Sequence, residues 1–287
     1  MTETKPVLGF IGLGNMGGAM SRRLIAAGHT VFAYDIAPGK IPPGARACAS
    51  AADVARQADM VLVCVTNSKA LEAAVFGAGG VAEGASAGKL LVDHTSSDPE
   101  TARTFAQRLA ATGMRWLDAP ISGGAAGAAD GSLVVFCGGD AADVARFQAI
   151  APAIAQKVTH MGPVGTGQAT KLCNQVLVGG TLALLAETVS LARRAGIDPA
   201  ALPGALAGGF ADSRPLQAWG PRMAARNYEP KAGAVGGMLK DLDAVAKLAR
   251  ATEAPVPMAA RAAEILRQYV LRAGAEKDTA SVAELYD

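Results

Sequence analysis

Short apolar runs alternate with amphipathic stretches along the first half of the chain. The runs are rich in Val, Ile and Leu, which is typical of strands that are buried on both faces of a sheet. Strands are predicted at 7–11, 30–34, 60–65, 90–93, 115–118, 133–137 and 157–160. Helices are predicted between them, at 16–27, 51–57, 70–75, 99–112 and 142–151. This alternation predicts a doubly wound, mostly parallel sheet.

The pattern changes after residue 162, where strand-like runs stop. Helices are predicted at 167–195, 199–207, 216–226, 238–252, 258–273 and 279–285. We therefore predict an α/β fold with an N-terminal sheet domain over residues 1–163 and an all-helical C-terminal domain over residues 164–287. Ligands commonly bind in clefts between domains, so the cleft is the expected ligand site.

Composition and charge narrow the class of protein. The 287 residues are 51% hydrophobic and 18% charged, which is enough apolar material for two buried cores. The net charge of +2 comes from 27 basic and 25 acidic residues without any run of like charges, which disfavours nucleic acid or a membrane surface as partner. The four cysteines and three histidines lack metal-ligand spacing, so no metal is expected. Without a signal peptide at Met1–Pro6 or an uninterrupted apolar run of roughly 18 residues, we expect a cytoplasmic protein.

A glycine-rich segment joins the first predicted strand to the first predicted helix. It reads Gly12-Leu13-Gly14-Asn15-Met16-Gly17 and has the spacing G-x-G-x-x-G. The first glycine permits a tight turn, the second lets the backbone approach a pyrophosphate, and the third lets helix and strand pack closely. The helix N-terminus favours the negative diphosphate. The segment predicts a Rossmann domain whose six loop residues contact a dinucleotide.

Asp35 ends the next predicted strand, roughly twenty residues further on, where Rossmann domains carry an acidic residue. A carboxylate there accepts hydrogen bonds from ribose hydroxyls and repels a 2′-phosphate, which favours NAD over NADP. Lys40 lies close enough in sequence to leave use of NADP possible. A plain turn aspartate, before the segment 36–39, is the alternative.

A second glycine-rich segment follows the strand at 115–118. It runs Asp118-Ala119-Pro120-Ile121-Ser122-Gly123-Gly124, with further glycines at 127 and 131. Successive backbone N–H groups in such a loop suit a small anion such as a carboxylate, and Ser122 adds a hydroxyl. An ordinary crossover loop would have the same composition, so both interpretations stay open.

The long predicted helix at 167–195 carries polar side chains near its start. Lys171, Asn174 and Gln175 stand at i, i+3 and i+4, so they share one helical face. Such a lysine is either a solvated surface residue or a partly buried functional one, and spacing does not decide between them.

Four segments, taken together and in order, resemble the β-hydroxyacid dehydrogenase family. They are residues 9–17, 118–131, 167–175 and Lys240-Asp241-Leu242, and the resemblance runs through essentially the whole chain. It implies an NAD-dependent oxidoreductase that interconverts a small 3-hydroxy acid and its semialdehyde, of the 3-hydroxyisobutyrate dehydrogenase or 2-hydroxy-3-oxopropionate reductase type. It also implies a homodimer or homotetramer.

The resemblance further implies a role for individual residues. Lys171 is expected to be the catalytic acid and base. The substrate carboxylate is expected at Ser122, Gly123 and Gly124, with the rest of the substrate near Asn174, Gln175 and Lys240. Besides the glycine segment and Asp35, the residues expected at the cofactor are Val65, Thr66, Ser96, Lys240 and Asp241. The chain departs from many members at Gln175, at Val65-Thr66, and in lacking an aromatic residue shortly before Lys240.

Two alternatives to this activity stay open. An imine reductase shares the general architecture but usually lacks the helix lysine, and a catalytically silent NAD-binding module would need none of these polar residues. The identity of the substrate is not set by the sequence. Candidate pocket residues are Phe210, Asp212, Ser213, Trp219 and Met238, although packing between helices explains each of them better.

Overall fold

The computed structural model describes residues 5–286. The first four residues of the Met1–Pro6 segment, in which we expect no signal peptide, lie outside the described part. The chain divides into two compact units, Met1–Lys171 and Leu172–Asp287. The first unit therefore includes the first turn of the long helix.

The first unit is built on one sheet. Its strands are β1 Leu8–Ile11, β2 Val31–Tyr34, β3 Arg46–Ala47, β4 Met60–Val63, β5 Leu90–Asp93, β6 Arg115–Asp118, β7 Ile121–Ser122, β8 Leu133–Gly138 and β9 Ala155–Gly162. Their order is β3-β2-β1-β4-β5-β6-β8-β7, with β9 beside β8. All pairings from β3 to β6 are parallel, β8 is antiparallel to β6 and β7, and β9 is parallel to β8. The predicted mostly parallel sheet is confirmed.

Helices connect these strands. They are α1 Asn15–Ala26, α2 Ala51–Gln57, α3 Ser68–Phe76, α4 Val81–Gly84, α5 Pro99–Ala110, α6 Gly124–Asp130 and α7 Ala141–Gln148. Several begin at residues that cap their first turn. The Asp98 side chain accepts a hydrogen bond from the Thr101 N–H before Pro99 opens α5, and Asn67 caps α3 in the same way.

Alternate residues of the central strands belong to two separate hydrophobic cores. Leu8 and Phe10 of β1, like Met60 and Leu62 of β4, belong to one core. Ile11, with Val61 and Val63 of β4, belongs to the other. A sheet that is covered on both faces explains why these strands are apolar throughout.

The second unit is helical, as predicted. After α8, Thr166–Arg194, come α9 Leu202–Leu206, α10 Arg214–Ala225, α11 Val235–Ala251 and α12 Pro257–Ala273. Residues from α8, α10, α11 and α12 form its hydrophobic core. Among the described residues, α8 is the one helix long and apolar enough to cross a membrane, and 44% of its most apolar stretch is buried. The core helix of a water-soluble protein meets the same criteria.

Two segments differ from the prediction in ways that matter locally. Residues 121–130, which lie within the predicted glycine-rich loop, form the short strand β7 and the helix α6. The C-terminal segment Thr279–Tyr286 is a 3-10 helix. Both are short elements, where periodicity carries little information.

Candidate active site

The three glycines of the first motif meet three different surroundings. Gly12 has a φ of +84°, which favours glycine, and it opens the turn between β1 and α1. A Cβ on Gly17 would collide with the carbonyl oxygen of Gly12, so this residue is set by close packing. A Cβ on Gly14 would meet nothing within 4 Å. The turn geometry therefore explains Gly12 and close packing explains Gly17, while open space lies beside Gly14.

Asp35 ties the end of β2 to this glycine turn. Its Oδ2 accepts a hydrogen bond from the Leu13 N–H at 2.6 Å, and its Oδ1 accepts one from the Ala37 N–H at 2.8 Å. Each carboxylate oxygen has further lone pairs for a ligand. The contact with Leu13 was not expected from the sequence, and it shows that Asp35 also has a structural role.

The carboxyl ends of β4 and β5 are joined beside this turn. The Val65 N–H donates to Thr95 Oγ1 at 3.2 Å. Thr66 is exposed, and Val65 and Ser96 are half-buried. Ligands of open parallel sheets bind outside the carboxyl ends of the strands, which is where these residues lie.

Asp118, at the end of β6, holds the start of α8. Its Oδ1 accepts from the Gly165 N–H at 2.7 Å, and its Oδ2 accepts from the Gln168 N–H at 2.9 Å. A negative charge at this end of a helix is favoured by the helix dipole. Burial raises the pKa of Asp118 to about 6, although the backbone hydrogen bonds oppose the shift.

Gln168, in the first turn of α8, makes a second connection. It is fully buried, its Nε2 donates to the Thr95 carbonyl at 2.7 Å, and its Oε1 accepts from the Ser97 N–H at 3.1 Å. The segment after β5 is thus bonded to α8. Lys171 follows one turn later on the same helix and is buried. Burial excludes the interpretation of Lys171 as a solvated surface residue.

Two titratable groups at the end of β5 are held uncharged at neutral pH. Burial, with a smaller contribution from the nearby Asp118, raises the pKa of Asp93 to about 8, although hydrogen bonds from Thr95 oppose the shift. Burial lowers the pKa of His94 to about 4, and its Nδ1–H donates to the Ala119 carbonyl at 2.7 Å. His94 is therefore neutral and buried.

The second glycine segment presents backbone at the surface. Ser122 is half-buried at the end of β7, and Gly123 and Gly124 are exposed with φ of +130° and +64°. A Cβ on Gly124 would meet nothing within 4 Å. The positive φ values explain why glycine is needed at both positions.

In the second unit, four polar side chains form a continuous chain of contacts. Asn174 Nδ2 donates to Gln175 Oε1 at 2.8 Å, and Gln175 Nε2 donates to Asp241 Oδ2 at 2.6 Å. Asp241 Oδ1 lies 3.4 Å from the Lys240 ammonium. Gln175 is buried, whereas Asn174 and Asp241 are half-buried and Lys240 is exposed.

Known proteins match both units. Residues 7–162 match the model of the NAD-binding domain of 6-phosphogluconate dehydrogenase. Residues 165–286 match the model for the NAD-binding of NADP-dependent 3-hydroxyisobutyrate dehydrogenase. The chain belongs to the β-hydroxyacid dehydrogenase family. It is accordingly an NAD(P)-dependent oxidoreductase that acts on CH–OH groups.

Full-length relatives of this dehydrogenase have several activities. The 2-hydroxy-3-oxopropionate reductase of Escherichia coli is 32% identical, with 96% of each chain covered. The L-threonate dehydrogenase of Cupriavidus necator is 34% identical, with 97% of this chain and 95% of the relative covered. The crystal structure of a 3-hydroxyisobutyrate dehydrogenase from Salmonella typhimurium has a TM-score of 0.87 at 28% identity, covering 97% of this chain and 99% of that one.

Most of the candidate pocket residues of the dehydrogenase support local structure instead. Ser213 caps α10 by accepting from the Leu216 N–H, and Asp212 accepts from the Gly208 N–H. Trp219 packs against the core of the second unit, and Phe210 is fully exposed. Met238 packs against the same core, and its sulfur lies 3.8 Å from Gln175 Nε2.

Sequence reasoning missed the roles of Asp118 and Gln168. Both are fully buried polar residues with two hydrogen bonds each to backbone groups. A carboxylate at the end of an apolar strand was the available signal for Asp118. No comparable signal marks Gln168, since its partners at Thr95 and Ser97 are more than 70 residues away.

Proposed function

We propose that this chain is an NAD-linked dehydrogenase of a small 3-hydroxy acid, with Lys171 as the catalytic acid and base. The observation that carries the proposal is the setting of Lys171. The residue is buried one turn after Gln168, on a helix start that Asp118 and Gln168 bond to the strand ends of the nucleotide-binding sheet. A buried lysine on a helix start that is bonded to this sheet edge supports a role in chemistry, whereas a silent binding module would not need it.

The cofactor is expected along the carboxyl edge of the sheet. The residues assigned to it are Gly12, Leu13, Gly14, Asn15, Met16, Gly17, Asp35, Val65, Thr66 and Ser96, together with Lys240 and Asp241. The open space beside Gly14 leaves room for a diphosphate at the start of α1. Asp35 favours NAD over NADP because its carboxylate would repel a 2′-phosphate.

The substrate is expected to bind through its carboxylate to Ser122, Gly123 and Gly124. Asn174, Gln175 and Lys240 are assigned to the part of the site that holds the rest of the substrate. When bound, NAD⁺ accepts a hydride from the carbon that bears the hydroxyl. Lys171, as the neutral amine, takes the hydroxyl proton during oxidation, and as ammonium it returns a proton to the oxygen during reduction. The products of oxidation are the semialdehyde, NADH and a proton.

Replacing Lys171 tests the assignment. General acid–base catalysis contributes about 10² to 10⁴ in rate, so Lys171→Ala should lose at least 100-fold in kcat while NADH binding, followed by fluorescence, is retained. Lys157→Ala, at an exposed lysine of β9, is the matched control and should keep full activity. Retention of more than a tenth of the wild-type kcat by Lys171→Ala would remove the lysine from this role.

The assembly is proposed to be a homodimer or homotetramer in the cytoplasm, with no nucleic-acid or membrane partner. Leu177, Leu184 and Leu191 follow one another at seven-residue spacing on α8 and are 73%, 54% and 69% exposed. A stripe with this repeat suits packing against a second copy of the same helix. Sedimentation equilibrium should give at least a dimer at micromolar concentration, and a monomer would contradict the proposal.

The domains proposed are residues 1–163, which bind the nucleotide, and residues 164–287, which bind the substrate and form the assembly.

A further inference from the structure

The chain of contacts from Lys240 to Asn174 can have only one arrangement of hydrogen-bond donors and acceptors. A carboxylate paired with a lysine ammonium only accepts hydrogen bonds, so the group that faces Asp241 Oδ2 has to be a donor. Gln175 meets this requirement with Nε2, at 2.6 Å. Because an amide has its oxygen on the opposite branch, Gln175 then presents Oε1 to its other neighbour.

The orientation of the Gln175 amide sets the orientation of the Asn174 amide. Gln175 Oε1 only accepts, so Asn174 has to face it with Nδ2, and the two atoms are 2.8 Å apart. The amide of Asn174 therefore turns its oxygen, Oδ1, away from Gln175. We call the hydrogen bonds that run from Asp241 through Gln175 to Asn174 the relay. Burial of Gln175 protects the relay from water, which strengthens the preference for one orientation of its amides.

We propose that Gln175 and Asp241 are positioning residues that make Asn174 present a hydrogen-bond acceptor to the substrate. This inference rests on the proposed function, in which Asn174 contacts the substrate. An acceptor at this place favours a 3-hydroxy acid with a second donor, a hydroxyl group on the carbon beside the carboxylate. A methyl group at that carbon would leave the Asn174 oxygen desolvated and without a partner, which costs binding free energy.

Three acids with one skeleton test the proposal: glycerate, 3-hydroxyisobutyrate and 3-hydroxypropionate. They differ only in carrying OH, CH3 or H on the carbon beside the carboxylate, and both enantiomers of the first two are assayed with NAD⁺. We expect wild-type kcat/KM for the better glycerate enantiomer to exceed that for 3-hydroxyisobutyrate by about tenfold or more, which is the effect of one hydrogen bond.

Gln175→Met keeps the side-chain length but removes the relay. The ratio of kcat/KM for glycerate to that for 3-hydroxyisobutyrate should fall at least fivefold, chiefly through the KM for glycerate. The ratio is measured on one preparation, so a fraction of misfolded enzyme cancels. Asp241→Asn, which allows the relay to run in either direction, should lower the same ratio by a smaller factor. Gln268→Met, at an exposed glutamine of α12, is the matched control and should leave the ratio unchanged.

The outcomes separate this inference from the proposed function. A wild-type enzyme that oxidises none of the three acids contradicts the proposed function. An enzyme that oxidises them without preferring glycerate overturns the inference alone. Equal loss of kcat/KM on glycerate and 3-hydroxyisobutyrate in Gln175→Met also overturns it, because the relay would then serve catalysis or stability without selecting the substrate.

Discussion

Gln168 is the residue whose replacement most directly tests how the start of α8 is held. Gln168→Met keeps nearly the same volume and removes both hydrogen bonds of the amide. The Thr95 carbonyl loses a donor at 2.7 Å, and the Ser97 N–H loses an acceptor at 3.1 Å. Since the side chain is fully buried, water cannot replace either partner without a rearrangement.

The expected cost follows from these two contacts. A buried polar group that loses its partner costs about 1–3 kcal/mol, so two such groups lower the free energy of unfolding by about 2–6 kcal/mol. The apolar methionine recovers part of this through burial, which favours the lower half of the range. The segment after β5 should also loosen, and because it lies at the proposed cofactor edge, the KM for NAD⁺ should rise at least threefold.

Urea unfolding, followed by circular dichroism and by tryptophan fluorescence, measures the change in the free energy of unfolding. Trp116 lies in the first unit and Trp219 in the second, so two transitions can be resolved if the units unfold separately. Gln107→Met, at an exposed position of α5, is the matched control. A Gln168→Met variant within about 0.5 kcal/mol of this control would refute the reasoning, since surface substitutions commonly fall within that range.

Two further predictions concern the same end of the sheet. Asp93 has a folded-state pKa of about 8 against a usual value of 3.8, so its favourable contribution is fully present below about pH 4 and is lost as the pH rises through 8. Asp93→Asn cannot ionise, so the stability of this variant relative to wild type, measured as the difference in free energy of unfolding, should rise by a few kcal/mol between pH 4 and pH 9. Parallel pH profiles of the two proteins in urea titrations would contradict this. Gly17→Ala should lower Tm because its Cβ meets the Gly12 carbonyl, whereas Gly14→Ala should keep Tm and weaken NADH binding in a fluorescence titration. Equal Tm values for the two glycine variants would contradict the assignment of the open space.

The sequence predicted the repetitive part of the fold because its signals are local. The strands β5 and β6 and the helix α2 have the predicted bounds, since continuous apolar runs and capping residues mark them directly. The glycine segment at 12–17 was predicted with its structural context for the same reason. Elements of two residues, such as β3 and β7, carry too few positions for a period to be detected.

The polar contacts of the candidate site could not be predicted in the same way, because their partners lie far apart in the sequence. The family resemblance implied that Gln175 lies near the substrate, yet both ends of its amide are used by Asn174 and Asp241. The partner on α11 is 66 residues away, so helical spacing could not reveal it. What the sequence did contain was the type of each side chain, and type decides the direction of a hydrogen-bond chain once the partners are known. Asp241 can only accept, and the orientation of Gln175 and then of Asn174 follows from that one constraint.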